Sequence, residues 1–258
     1  MKPSNNKTIR FSKNTVHSDI QIERYRQLLE LIKSNNYSVC KYNNYKNIKK
    51  TFIFRHDIDV DLELALEFAH IESEYNCHSN YFIMIRNEIY NSLSKTSKKI
   101  IREIKSLNHD IALHFDANFY DQVCDKGIMK LIRCEAQILE DIVGDSVHFF
   151  SFHQPHRILI EKDYDKYGIK SVYNDEFIKN MRYISDSCGR FREESIFELV
   201  KKNEPRINFL SHPILWFGSP GETLQNRLAN YLNRRKNYMD EQLRLALNNL
   251  ESGAILYE

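Results

Sequence analysis

The chain has 258 residues, and its 37 Lys+Arg against 35 Asp+Glu leave a net charge of +2, which gives no electrostatic footprint for a polyanionic partner such as nucleic acid. Hydrophobic residues make up 42% and charged residues 28%, the balance of a globular protein with a sizeable core. Five scattered cysteines with no CxxC pair argue against a zinc ribbon or a disulfide scaffold, and no GxGxxG or GxxxxGK[ST] is present to cradle a nucleotide.

The first helix is expected over about Asp19–Lys33, with Ile22, Tyr25, Leu28 and Ile32 at helical spacing and Ser18 as cap. Thr51–Phe54 is a continuous apolar run of the kind buried on both faces of a parallel sheet. A helix follows from about Asp61, with Asp59 or Asp61 able to cap it. The alternation continues with a strand at Asn80–Met84, a helix at Thr96–Leu107, a strand at His109–His114, a helix at Ile128–Val143 and a strand at Val147–Phe152. Short strands are expected at Ser171–Tyr173, Tyr183–Ser185 and Ile207–Ser211. A long helix over about Glu222–Glu251 carries an apolar stripe through Leu224, Leu228, Tyr231, Met239, Leu243, Leu247 and Leu250, interrupted by Asn233-Arg234-Arg235-Lys236. This rhythm predicts an α/β fold, a distorted (β/α)-type barrel in a single domain, with about 1–45 as an N-terminal helical extension. No apolar run reaches 18 residues, so no transmembrane segment is expected, and the polar start suggests a cytoplasmic protein.

Four expected strands end in His or Asp: His56-Asp57-Ile58-Asp59, His114-Phe115-Asp116, His153-Gln154-Pro155-His156 and His212-Pro213. Alternation along a strand sends Asp57 and Asp59 to one face, and His114 and Asp116 likewise. Carboxylates forced together need a shared proton or a cation, and a divalent metal held by Asp and His meets that need. His109, followed by apolar residues, reads as structural.

These segments resemble the polysaccharide deacetylase family (the NodB-homology, carbohydrate esterase 4 fold), and more closely its branch associated with surface-polysaccharide biosynthesis. The likeness runs from about Thr51 to Pro213. It implies a distorted barrel of about seven strands and one divalent metal, usually zinc. It also implies a hydrolase that removes an N-acyl group, acetyl or formyl, from an amino sugar. Phe54–Asp59 stands where the family has paired aspartates, which makes Asp57 the general base and Asp59 a metal ligand. His109–His114 matches a motif whose last His is a ligand, so His114 takes that role. The family's second His falls at Asn118, which leaves His153 as the third ligand and Asp116 as its rival. Leu210-Ser211-His212 matches the motif that supplies the general acid, His212. Asp116, His156, Asp186 (with Phe191 behind it), Arg190 and Trp216 are the expected substrate contacts. The partner is a carbohydrate, and the C-terminal helix suggests a homodimer, with a membrane surface as the other reading. The alternative function is a catalytically inactive sugar-binding relative, motivated by Asn118. The doublets His56-Asp57 and His109-Asp110 also resemble HD-type phosphohydrolases, but both adjoin β-type runs where that family uses helices.

Overall fold

The computed structural model describes residues 20–120, 125–155, 157–160, 164, 168–191 and 194–251. Strands alternate with helices along it: α1 (Ile22–Ser34), β1 (Ser38–Cys40), β2 (Thr51–Ile58), α2 (Leu62–Glu74), β3 (Asn80–Ile83), α3 (Lys95–Ser106), β4 (Asp110–Phe115), α4 (Asp125–Val143) and β5 (Phe149–Phe152). The second half runs α5 (Arg157–Ile160), β6 (Lys170–Ser171), α6 (Asp175–Ile178), β7 (Arg182–Ser185), α7 (Ile196–Lys201), β8 (Arg206–Ser211) and α8 (Leu224–Glu251).

All pairings are parallel, in the order β6-β5-β4-β3-β2-β8-β7. Strands β2 to β6 follow one another in sequence and β8 returns beside β2, which is the course of a (β/α) barrel with its seam between β6 and β7. The expected fold is therefore the observed one. Strand β2 lies at the centre: β8 pairs along Thr51–His56, while β1 takes Thr51–Ile53 and β3 takes Arg55–Ile58 on its other edge. Every residue of β2 is buried, as expected for a strand covered on both faces.

Expected and observed boundaries agree closely for the long elements. The strands β1 and the helices α5, α6 and α7 are additions, each too short to show a period. Ser18 and Asp19 lie outside the described residues. Asp61 caps α2, its side chain accepting from the backbone N–H of Glu63 and Leu64 at 3.0 and 3.2 Å, which leaves Asp59 free for another role. At the other ends, Asn36, Asn76, Asn108 and Asn203 take positive φ of 56–68° two residues past α1, α2, α3 and α7. In a chain with only 7 glycines, asparagine fills the left-handed position that closes a helix.

The N-terminal end of the barrel is plugged. The ring of Tyr42 packs on Phe82, Phe149 and Phe177, and its hydroxyl donates to Asn208 at 2.8 Å. Two larger apolar clusters lie outside the strands, beneath the helices. The open end is the C-terminal one, where the strand-terminal polar residues stand.

Candidate active site

Strand alternation decides which side chains meet. Arg55, Asp57 and Asp59 on β2 and its extension, His114 on β4, His153 just past β5 and His212 just past β8 all line one cavity of about 740 Å³. The intervening residues point outward. His56 lies 2.8 Å from Glu72 of α2, and His109 lies 3.7 Å from the same carboxylate. Tyr25 and Tyr81 donate hydroxyls to Glu72 at 2.5 and 2.7 Å. This buried network sits behind the sheet, so His56 and His109 share a carboxylate away from the cavity, while Asp57 lines the cavity and Asp110 pairs with Lys41 and Lys105 at 3.1 and 3.5 Å.

Three donor atoms form a nearly equilateral triangle: Asp59 Oδ1 to His114 Nε2 is 3.1 Å, Asp59 Oδ1 to His153 Nδ1 is 3.3 Å, and His153 Nδ1 to His114 Nε2 is 3.3 Å. A tetrahedral ion with bonds of about 2.0–2.1 Å needs donors about 3.3 Å apart. Asp59 Oδ1 is buried and has no hydrogen bond, although both imidazoles are near. That oxygen is thus open to a cation, and the three close-set donors fit a divalent metal. Nδ1 of His114 lies 2.7 Å from Ser151 Oγ; protonated there and donating to the hydroxyl, the ring leaves its Nε2 lone pair for a cation. Gln154, at φ 45°, turns the chain sharply straight after His153. Burial opposes ionisation of Asp59, yet His114 and His153 hold its carboxyl far below the usual range.

Asp57 sits beside the triangle, its Oδ2 3.7 Å from His114 Nε2. Arg55, two residues back on the same face, grips it with bonds of 2.9 and 2.7 Å. Burial pushes the Asp57 carboxyl up, but the Arg55 charge and His114 outweigh it, and the net shift is downward. Arg55 is itself buried, packed between Phe82 and Tyr173, and among the described residues its Nη1 has no hydrogen-bond partner.

His212 faces the triangle from the opposite side, its Nε2 3.8 Å from Asp59 Oδ2. Its Nδ1 lies 2.6 Å from Asp186 Oδ1. Asp186 Oδ2 accepts from the His212 backbone N–H at 3.0 Å and from Trp216 Nε1 at 2.8 Å. Burial lowers the His212 pKa, but the charge and hydrogen bond of Asp186, with Asp59 and Asp57 beyond, raise it to about 9.

Two expected substrate contacts are corrected here. Trp216 is fully buried against Tyr25, Phe68 and Phe209, so it cannot stack on a sugar. Asp186 is fully buried and spends its oxygens on His212 and Trp216. Arg190 is exposed and stands outside the cavity lining, at the end of the Ser187–Gly189 turn. His156 lies outside the described residues. Asp116 lines the cavity, but its carboxylate accepts from Asn118 N–H at 2.9 Å and stays out of the triangle. Asn118 itself lies in an exposed turn. Sequence reasoning overlooked Arg55 and Ser151, both legible in retrospect as same-face neighbours of Asp57 and His153. It also overlooked the rim pair Arg86 and Phe119, a guanidinium 5.4 Å from a ring centroid, both lining the cavity.

No family model matches the chain, and no curated protein matches it either. Among solved structures it is similar to the deacetylase PplD of Streptococcus pyogenes, in complex with acetate, at 13% identity and TM-score 0.44, covering 89% of this chain and 92% of that one. It is also similar to BA3943 of Bacillus anthracis, a CE4 family pseudoenzyme, at 12% identity and TM-score 0.44, covering 73% of this chain and 62% of that one. A third is a family 4 acetyl xylan esterase from Clostridium thermocellum, in complex with a cobalt ion, at 13% identity and TM-score 0.40, with 72% and 83% covered. The chain thus spans less than two thirds of the length of BA3943.

Proposed function

We propose that this protein is a zinc-dependent amide hydrolase that removes an acetyl or formyl group from the nitrogen of an amino sugar, in the assembly of a surface polysaccharide. The single observation that carries the reading is the Asp59–His114–His153 triangle, flanked by a carboxylate on one side and an imidazole on the other. One oxygen and two nitrogen donors suit zinc and leave a coordination position open.

A cation held there would make water acidic near neutrality and polarise the amide carbonyl. Asp57 accepts the proton of the attacking water. Its clamp by Arg55 fixes the carboxylate in place. His212 donates from Nε2 to the departing amine, a very poor leaving group without that proton. Asp186 keeps Nδ1–H directed to itself and the imidazole charged. Phe119 and Arg86 offer an exposed aromatic face and a cation at the rim, where a pyranose ring can stack. The balance is amide plus water giving amine and carboxylic acid.

The test is release of free amine from N-acetylated and N-formylated amino sugars by the zinc-loaded protein. Asp57→Asn and His212→Ala should each lose about 10²-fold or more. Equal rates in these variants and the wild type would overturn the mechanism, and saturable sugar binding with no amine released would favour the inactive sugar-binding relative.

A further inference from the structure

The three donors of the triangle are not held alike. His114 lies inside β4, and His153, one residue past β5, still donates its backbone N–H to the Phe115 carbonyl at 2.8 Å. Asp59 lies one residue beyond Ile58, the last register pair between β2 and β3. Its carbonyl accepts from a side chain, Asn87 Nδ2, at 3.0 Å.

Asn87 belongs to residues 84–94, the connection from β3 to α3. Its Oδ1 accepts from the backbone N–H of Ile89 at 2.6 Å and of Tyr90 at 3.0 Å. An amide oxygen receives those two donors, so the amide nitrogen is the atom that faces the Asp59 carbonyl. Tyr90 makes a parallel tie one residue earlier on β2. Its hydroxyl donates to the Ile58 carbonyl at 2.7 Å and accepts from the Met84 N–H at 3.0 Å. On its outer side the connection is tied to α8, where the Tyr231 hydroxyl donates to the Ile89 carbonyl at 3.2 Å. The same connection supplies Arg86, Glu88 and Ile89 to the cavity lining. Two successive carbonyls at the end of β2 are therefore gripped by a segment that also forms the rim.

We propose that Asn87 is a positioning residue for the metal: through the Asp59 carbonyl it holds the Asp59 carboxylate at the spacing of the triangle and couples that spacing to residues 84–94. The inference rests on the metal reading of the triangle and assigns a residue that the reading leaves out. A ligand whose backbone is already held needs no ordering when the ion arrives, and affinity rises by the ordering cost avoided. Such coupling is reciprocal. If the grip of Asn87 favours the ion, the ion strengthens the grip.

Two measurements on the full chain test this without recourse to turnover: zinc affinity by competition titration, and amide hydrogen exchange with and without zinc. Asn87→Asp keeps an oxygen for the Ile89 and Tyr90 N–H groups but turns the donor at the Asp59 carbonyl into a second oxygen. Zinc affinity should fall about 10- to 100-fold. The added negative charge acts the other way, since on charge alone it attracts a cation, so a loss reports geometry. Tyr90→Phe keeps the ring and the net charge and removes the tie to Ile58; its affinity should fall by a smaller factor. In the wild type, zinc should slow exchange of the Ile89 and Tyr90 amides, and Asn87→Asp should abolish that slowing. Wild-type affinity in a folded Asn87→Asp protein, or amides indifferent to zinc, overturns the positioning role. Should Asn87→Asp fail to fold, Tyr90→Phe and the wild-type exchange decide the matter in the same way. Zinc held equally by wild type and variants defeats this inference alone, whereas a wild type that binds no zinc defeats the metal reading and this inference with it.

Discussion

Asp186 holds His212 at 2.6 Å through Nδ1 and receives the indole N–H of Trp216 at 2.8 Å, so one buried carboxylate orients the imidazole and anchors it to the core. Burial by itself would drive His212 neutral, and the negative charge of Asp186 is the leading influence that raises it to about 9. In its proposed role of general acid His212 must carry its proton, so activity should persist through neutral pH and fall as pH rises through that value. Asp186→Asn keeps the shape and removes the charge. Its alkaline limb should move down by a unit or more in a pH–rate profile. An unmoved limb would show that Asp186 does not set the protonation of His212.

The Asp59–His114–His153 triangle makes a second expectation. Zinc should bind with one equivalent per chain, and Asp59→Asn, His114→Ala or His153→Ala should each abolish tight binding in elemental analysis. Ser151 touches no donor atom of the triangle except through the far side of the His114 ring. Ser151→Ala frees that ring to rotate or change tautomer. Zinc affinity should then drop about 10- to 100-fold in a competition titration, with the fold retained.

Arg55 and Asp57 form a buried ion pair whose side chains are 1% and 4% exposed. Removing one partner of such a pair typically costs about 3–5 kcal/mol, because the other charge is left unpaired. Arg55→Met should lower the denaturation midpoint by an amount in that range, and the double variant Arg55→Met/Asp57→Leu should recover much of the loss. If the double variant were no more stable than the single one, the unpaired charge would not be the cause.

Glu135 on α4 gives a stability signal with the opposite sign to most carboxylates. It is buried, its Oε2 has no partner among the described residues, and Tyr120 donates to its other oxygen. Burial raises its pKa from 4.5 to about 7, against the smaller pull of Tyr120 and Arg86. The folded chain thus keeps a proton that the unfolded chain has released. Stability should be greatest at and below pH about 4.5 as far as this group is concerned, and decline as pH rises to about 7, by up to about 1.4 kcal/mol per pH unit. Glu135→Gln should flatten that decline in urea melts. An unchanged slope in the variant would assign the pH dependence elsewhere.

The helix ends illustrate how much was locally encoded. Asp61 announces α2 because a carboxylate just ahead of an apolar period can satisfy the free N–H groups of the first turn. The four asparagines that close α1, α2, α3 and α7 were equally present in the chain, but they went unread because glycine is the usual signal at that position. Short elements such as β1 and α6 carry too few residues to display a period, and β1 is defined only by its pairing with β2.

By itself the sequence determined the barrel and the polar face of each strand, because burial on both sides demands apolar runs and a period of two assigns every second residue inward. That sufficed to set Asp57, Asp59, His114, His153 and His212 at one end. Tertiary structure alone decided what those residues do with one another. Whether Asp186 and Trp216 meet a ligand or hold His212, and whether His153 or Asp116 joins His114, depends on distances of a few ångströms between strands far apart in the chain. Local patterning constrains direction along a strand but not the separation across a sheet, and the coupling between charges falls off with that separation.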